Sequence, residues 1–184
     1  MKEILTILED FPVIAAAKDK NISDAVLSPA SIIFDLGANI NTVKSSIDTV
    51  HENGKMIFVH IDLAEGIGKD KYGIDYLCSL GVDGIISTRG NLVKAAKERS
   101  LITVKRVFTL DSQGVVSAMA DIDDPSADII EIMPGVIPKI IERFSKSGKP
   151  IIAGGLIETK AEITAALSHG AVAVSTGKKE LWYL

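Results

Sequence analysis

The chain has 184 residues, 47% hydrophobic and 24% charged, with one cysteine and a formal net charge of −4. That is the balance of one ordinary domain with a real core; it excludes a broad basic field for nucleic acid, so binding of that kind needs a local patch. Cys78 has no partner for a disulfide, the apolar runs are strand-sized rather than membrane-spanning, and Met1-Lys2-Glu3-Ile4-Leu5 lacks a signal-peptide pattern, so a cytoplasmic location is expected.

Strands alternate with helices from end to end. Pro12–Ala17 is the first expected strand, closed by Lys18-Asp19, and residues 21–27 form a short helix or turn. Ser31–Leu36 is the second, followed by a helix capped by Asn41 whose Val43, Ile47 and Val50 share one face. Met56–Asp62 is the third strand; a loop over 63–71 leads to a helix over 73–80 that contains Cys78 as a small core residue. Residues 84–88 form the fourth strand and 91–99 an amphipathic helix. Residues 101–108 form the fifth, with a helix opening near Asp111 or Ser112. Residues 128–133 form the sixth, stopped by Pro134-Gly135, with a helix over 136–146. Pro150-Ile-Ile-Ala-Gly-Gly-Leu-Ile157 is the seventh, ahead of a helix near Thr159. Residues 171–174 are the eighth, followed by Ser175-Thr176-Gly177-Lys178.

Eight such units imply parallel strands joined by right-handed crossovers and favour a compact TIM-type (β/α)8 barrel of one domain, residues 1–184. At about 23 residues per unit, some helices must be short. The competing architecture, an open doubly wound sheet, carries its phosphate glycines after the first strand, where this chain has Ala17-Lys18-Asp19. Gly154-Gly155 and Ser175-Thr176, after the last two strands, suit the phosphate cradle of a barrel; the plainer reading of the glycines is tight turns.

A ligand then sits at the C-terminal strand ends, where Lys18, Asp35, His60, Asp62, Arg89, Lys105, Arg106 and Glu131 supply polarity. His60 and Asp62 are two apart, which places them on one strand face, and both are candidates for the mouth. Lys105 and Arg106 must point opposite ways. Glu131, among isoleucines, needs a cationic partner, Arg106 or Lys105 from the neighbouring strand, and that pair has a purely structural reading as well. His51 and His169 sit near helix ends as surface residues. Paired cysteines, a His-Glu-x-x-His motif, a nucleophile elbow and a nucleotide P-loop are all missing, so neither metal nor cofactor is expected.

Several strings, in order, resemble one family. They are Val59-His-Ile-Asp-Leu-x-Glu-Gly-Ile67, Asp83-Gly-Ile-Ile-Ser-Thr-Arg89, Arg106-Val-Phe-x-Leu-Asp-Ser112, Ile130-Glu-Ile-Met-Pro-Gly-Val-x-Pro138, Ile151-Ile-Ala-Gly-Gly-Leu-Ile157 and Val174-Ser-Thr176 with Leu181-Trp182. Together, from about Pro12 to Trp182, the chain resembles the glycerol-responsive antiterminators of bacterial glycerol uptake operons. It departs from their pattern at Asn39, Lys105 and Gly177-Lys178. The resemblance implies a single barrel that senses glycerol 3-phosphate, binds the mRNA leader of its operon and prevents premature termination, without being an enzyme.

On that reading Gly154, Gly155, Ser175 and Thr176 hold the phosphate and His60, Asp62 and Glu131 meet the hydroxyls. Lys18, Arg89 and Arg106 add charge. The candidate RNA-facing cations are Lys69, Lys71, Lys94, Lys97, Arg99, Lys178 and Lys179; each also reads as an ordinary solvated charge. Two further readings stay open: an isomerase or lyase acting on a small phosphorylated polyol or sugar, and a ligand-binding protein that works through a protein partner.

Overall fold

The computed structural model describes residues 2–18 and 21–184. Eight parallel strands close into a barrel in sequence order, β1 (Val13–Ala17), β2 (Ile32–Asp35), β3 (Met56–His60), β4 (Gly84–Ser87), β5 (Ile102–Phe108), β6 (Ile129–Met133), β7 (Ile151–Gly154) and β8 (Ala173–Thr176), with β8 pairing back onto β1. The expected barrel is therefore observed. Its economy lies in short parts: most strands are four or five residues long, and α2 (Ile22–Leu27) has six. The other helices are α3 (Val43–Glu52), α4 (Lys71–Ser79), α5 (Gly90–Lys97), α6 (Ser112–Ile122), α7 (Pro138–Ser145) and α8 (Lys160–Ser168). Asp19, expected to help close the first strand, lies outside the described residues.

One further helix, α1 (Lys2–Asp10), precedes β1 and has no counterpart in the sequence reading. Its Ile4 and Leu8, one helical turn apart, are buried at 3% and 2% exposure. They join the inward-pointing residues Ile14, Phe34, Phe58, Ile86, Val104, Ile129, Ile152 and Ala173, so α1 stoppers the N-terminal end of the barrel. Phe34 and Phe58 stack there with ring centroids 5.7 Å apart. The alternate residues of the same strands, such as Ile33, Ile57, Ile85 and Val174, face the helices in a separate core layer.

Several boundaries differ from expectation, each for a local reason. α4 begins at Lys71 rather than Gly73, because the Asp70 side chain accepts the N–H groups of Tyr72 and Gly73 and caps the helix two residues early. α3 starts at Val43 with Thr42, not Asn41, at its cap position; the Asn41 N–H is instead bound by the Asn39 side chain. β3 ends at His60, and Ile61–Leu63 turn into a short 3-10 helix. β8 is displaced by two residues: it runs from Ala173 to Thr176, so Ser175 and Thr176 belong to the strand rather than following it.

Candidate functional site

Alternation along the strands puts His60, Arg106, Glu131, Gly154 and Ser175 on the inward face, one step above the apolar layer that contains Phe58, Val104, Ile129, Ile152 and Ala173. Arg106 and Glu131 are register partners on β5 and β6. The Arg106 Nε donates to Glu131 Oε2 at 2.6 Å, and the Ser175 hydroxyl donates to Glu131 Oε1 at 2.6 Å. The Glu131 carboxylate is fully buried, so this pairing is what makes its position tolerable. Lys105 points the other way, to the Thr88 carbonyl at 2.9 Å and Asp121 at 3.5 Å.

Gly154 makes room for the carboxylate. A Cβ there would lie 2.5 Å from Glu131 Oε1 and 2.7 Å from Ser175 Oγ. The two glycines thus differ in use: Gly154 admits Glu131, while Gly155 (φ +73°) turns the chain out of the strand. Leu156 continues the turn at φ 60°, a backbone region that a branched side chain seldom enters, and is itself exposed.

A cavity of about 260 Å³ opens above this floor, bounded by Arg106, Glu131 and Met133, the Gly155–Ile157 turn, Ser175–Gly177, and Ala16 with Lys18. None of the N–H groups of Gly155, Leu156, Ile157 and Gly177 donates a hydrogen bond among the described residues. The next two, of Glu158 and Thr159, are taken by the Glu162 carboxylate, and the Thr159 hydroxyl in turn accepts from the Glu162 N–H. The N-terminus of α8 is therefore already capped, which leaves the turn and Gly177 as the open donors. A larger groove of about 590 Å³ between α6 and α7 is lined by Leu110, Val116, Ile137 and Ile140 and contains no buried charge.

His60 lies on the inward face but does not border the cavity, and the other sequence-selected ligand residues fall into two groups. Lys18, Arg106, Glu131, Gly155, Ser175 and Thr176 border the cavity, with Gly154 beneath it. Thr176 points outward and ties loops together: its hydroxyl donates to the Ile157 carbonyl at 2.7 Å and accepts from the Lys178 N–H, and its carbonyl accepts from the Trp182 indole. Asp62 and Arg89 form a different cluster at the end of β4 and do not border the cavity. Because β3 stops at His60, the alternation that would align His60 with Asp62 does not reach Asp62. Asp62 accepts from the Ser87 and Thr88 hydroxyls and from the Thr88 N–H, and Arg89, itself exposed, lies 3.6 Å away. Burial alone would raise the Asp62 pKa, but those three donors outweigh it and hold the carboxyl below its usual range.

His60 is 3% exposed, and its Nδ1 is the one buried side-chain polar atom without a hydrogen-bond partner among the described residues. Burial first and the Arg106 charge second push its pKa down to about 4, against the opposing pull of Asp62 and Glu131. At neutral pH the ring is uncharged.

The model of the glycerol-3-phosphate responsive antiterminator family matches residues 13–182. The chain belongs to that family. Among solved structures, the glycerol uptake operon antiterminator regulatory protein of Listeria monocytogenes superposes with a TM-score of 0.89 at 34% identity, covering 94% of this chain and 95% of that one. A glycerol uptake operon antiterminator-related protein of Thermotoga maritima superposes with 0.82 at 31%, covering 92% and 96%. The uncharacterized protein YgcP of Escherichia coli (strain K12) is 34% identical over 98% of this chain and 96% of its own length. More distant barrels at 9–16% identity, including aldolases, a decarboxylase and an epimerase, share the fold alone.

For an antiterminator, the cations matter as much as the cavity. Most of those selected from the sequence are engaged. The Lys69 amine donates to the carbonyls of Ala64 and Ile67, and Lys71 lies over the Tyr72 ring, 5.0 Å from its centroid. Lys97 bonds Asp128 at 2.5 Å, Arg99 pairs with Asp75, Lys178 with Glu158 and Lys179 with Asp24. Lys94, on α5, is exposed and has no such partner among the described residues. The same holds for Lys139, Arg143 and Lys160, none of them among the cations that the sequence singles out. The signal available for them was position: Lys139 and Lys160 open helices that start at the strand-end face of the barrel. Among the described residues no group of three His, Cys, Asp or Glu side chains forms a metal-binding cluster, and no helix is long and apolar enough to cross a membrane.

Proposed function

We propose that this antiterminator binds glycerol 3-phosphate in the strand-end cavity and, in that state, grips the mRNA leader of a glycerol uptake operon in the cytoplasm. The observation that carries the reading is the pairing, across one small cavity, of unbonded backbone N–H groups with a buried polar floor. The phosphate sits on the N–H groups of the Gly155–Ile157 turn and Gly177, with Lys18 beside it. The two hydroxyls reach the floor of Arg106, Glu131 and Ser175. Asp62 and Arg89 act at one remove, by fixing the end of β4 next to His60. The family and the antiterminator relatives support the RNA half, and no cofactor is required.

The test has two arms. Glycerol 3-phosphate at about a hundredfold over its Kd adds about 2.7 kcal/mol to unfolding, a clear rise in Tm, whereas glycerol adds nothing. Leader RNA binding is then titrated with and without glycerol 3-phosphate, and ligand-strengthened binding is the expected result. Equal melting shifts with glycerol would remove the phosphate from the reading. RNA binding indifferent to the ligand would remove the regulatory half.

The runner-up is an enzyme acting on a small phosphorylated polyol or sugar. Its favouring observation is the neutral His60 within the field of Arg106 and Glu131, a set of parts that also suits proton transfer. Against a Schiff-base aldolase, Lys105, the one lysine in the strands, lies on the outer face. Turnover of glycerol 3-phosphate or dihydroxyacetone phosphate by the purified chain would establish the enzyme reading instead.

A further inference from the structure

We propose that the Arg106–Glu131 pair is the specificity determinant for the end of the ligand remote from phosphate: it accepts a hydroxyl-bearing, uncharged end and rejects a carboxylate. This rests on the reading of the cavity as a phosphate-ester site and adds a charge filter to it.

Arg106 borders the cavity, and only its Nε is engaged, on Glu131. Its two terminal nitrogens donate to nothing among the described residues. They are not sealed inside protein either, because His60 Nδ1 is the one buried side-chain atom there without a partner. The floor of the cavity therefore offers open guanidinium donors. It offers no net positive charge with them. Glu131 is wholly buried, and both of its oxygens are engaged, one by Arg106 and one by Ser175.

A hydroxyl oxygen accepts from Arg106 without bringing charge. A carboxylate accepts as well, but it brings a second negative charge beside a buried one, where like-charge repulsion is weakly screened. The Ser175 hydroxyl cannot relieve this, since its proton is already given to Glu131. The compensated pair thus separates a three-carbon phosphate with hydroxyl ends from a phosphorylated hydroxy acid of the same length. An uncompensated arginine would prefer the acid.

The test compares Kd for glycerol 3-phosphate and for 3-phosphoglycerate by calorimetry. The wild-type chain should favour glycerol 3-phosphate by at least ~tenfold. Glu131→Gln keeps the shape but removes the countercharge, and should shrink that ratio by at least ~tenfold or invert it. Ser175→Ala retains both charges, so it should weaken binding but keep the preference. Equal wild-type affinity for the two esters would overturn the filter while leaving the phosphate site intact, and this arm needs no variant to fold. An unchanged ratio in a folded Glu131→Gln chain would overturn it as well. A wild-type chain that binds neither ester nor inorganic phosphate would overturn both the site and the filter.

Discussion

His60 shows how one side chain couples the floor of the barrel to solvent pH. Its pKa is about 4 in the fold against 6.5 in the unfolded chain. Between those values the unfolded chain binds a proton that the folded chain refuses, so stability falls as pH drops through that window and is flat above it. The slope from this residue is at most about 1.4 kcal/mol per pH unit. Urea melts from about pH 7 to pH 5 should show the loss, and His60→Gln should flatten it; an unchanged slope in that variant would clear His60 of the effect. Asp62, whose carboxyl is held low, loses its contribution only below its unfolded value of 3.8, outside that range. Gly154→Ala tests a steric point at the same scale. Its Cβ cannot share space with Glu131 Oε1, so the variant should lose about 1–3 kcal/mol and much of its ligand-induced melting shift. That Glu131 takes a cation from the neighbouring strand was legible in the sequence, since a lone acid among isoleucines demands one; which of Arg106 and Lys105 it is was not, because alternation fixes only that the two point opposite ways. The place of Ser175 was not, because an apolar run that ends in Ser-Thr looks finished two residues early. Nor was the role of Gly154, which depends on a carboxylate that arrives from β6.

Among the elements, the eight repeating units were legible because apolar strands and amphipathic helices alternate at short, regular intervals. α1 was not, although Ile4 and Leu8 carry the spacing of one helical turn, because a nine-residue segment holds too few turns for the apolar period to stand out. Its contribution is measurable. Leu8→Ala should cost about 2–5 kcal/mol in urea unfolding, since the side chain is 2% exposed among the lower barrel residues. The affinity for glycerol 3-phosphate should not change, because the cavity lies at the opposite end of the strands. A loss of affinity at unchanged stability would mean that α1 reaches the site. At the other end of the barrel, Thr159→Ala removes half of the α8 capping box at about 1 kcal/mol. It should also loosen the Gly155–Ile157 turn and weaken the ligand, a double effect that a cap remote from the site would not have.

At the scale of the whole molecule, charge and closure decide what can bind and where. The chain carries a net charge of −4, and many of its cations are held by carboxylates. Leader affinity should therefore have a shallow salt slope. Glycerol 3-phosphate should raise that affinity by roughly 5–150-fold, and leader RNA should tighten the ligand by the same factor. Lys139→Ala and Lys160→Ala should weaken the leader complex more than Lys97→Ala or Arg99→Ala, because the latter two cations are bound to Asp128 and Asp75. The reverse order would put the RNA on the side of α5. Closure acts on time rather than on affinity. A ring of strands stoppered by α1 is a blind alley for a small molecule, with one gate for arrival and departure. Anything that merely covers the gate slows both by the same factor, so it lengthens the residence time of the occupant and leaves its Kd where it was. A barrel open at both ends would have no such memory.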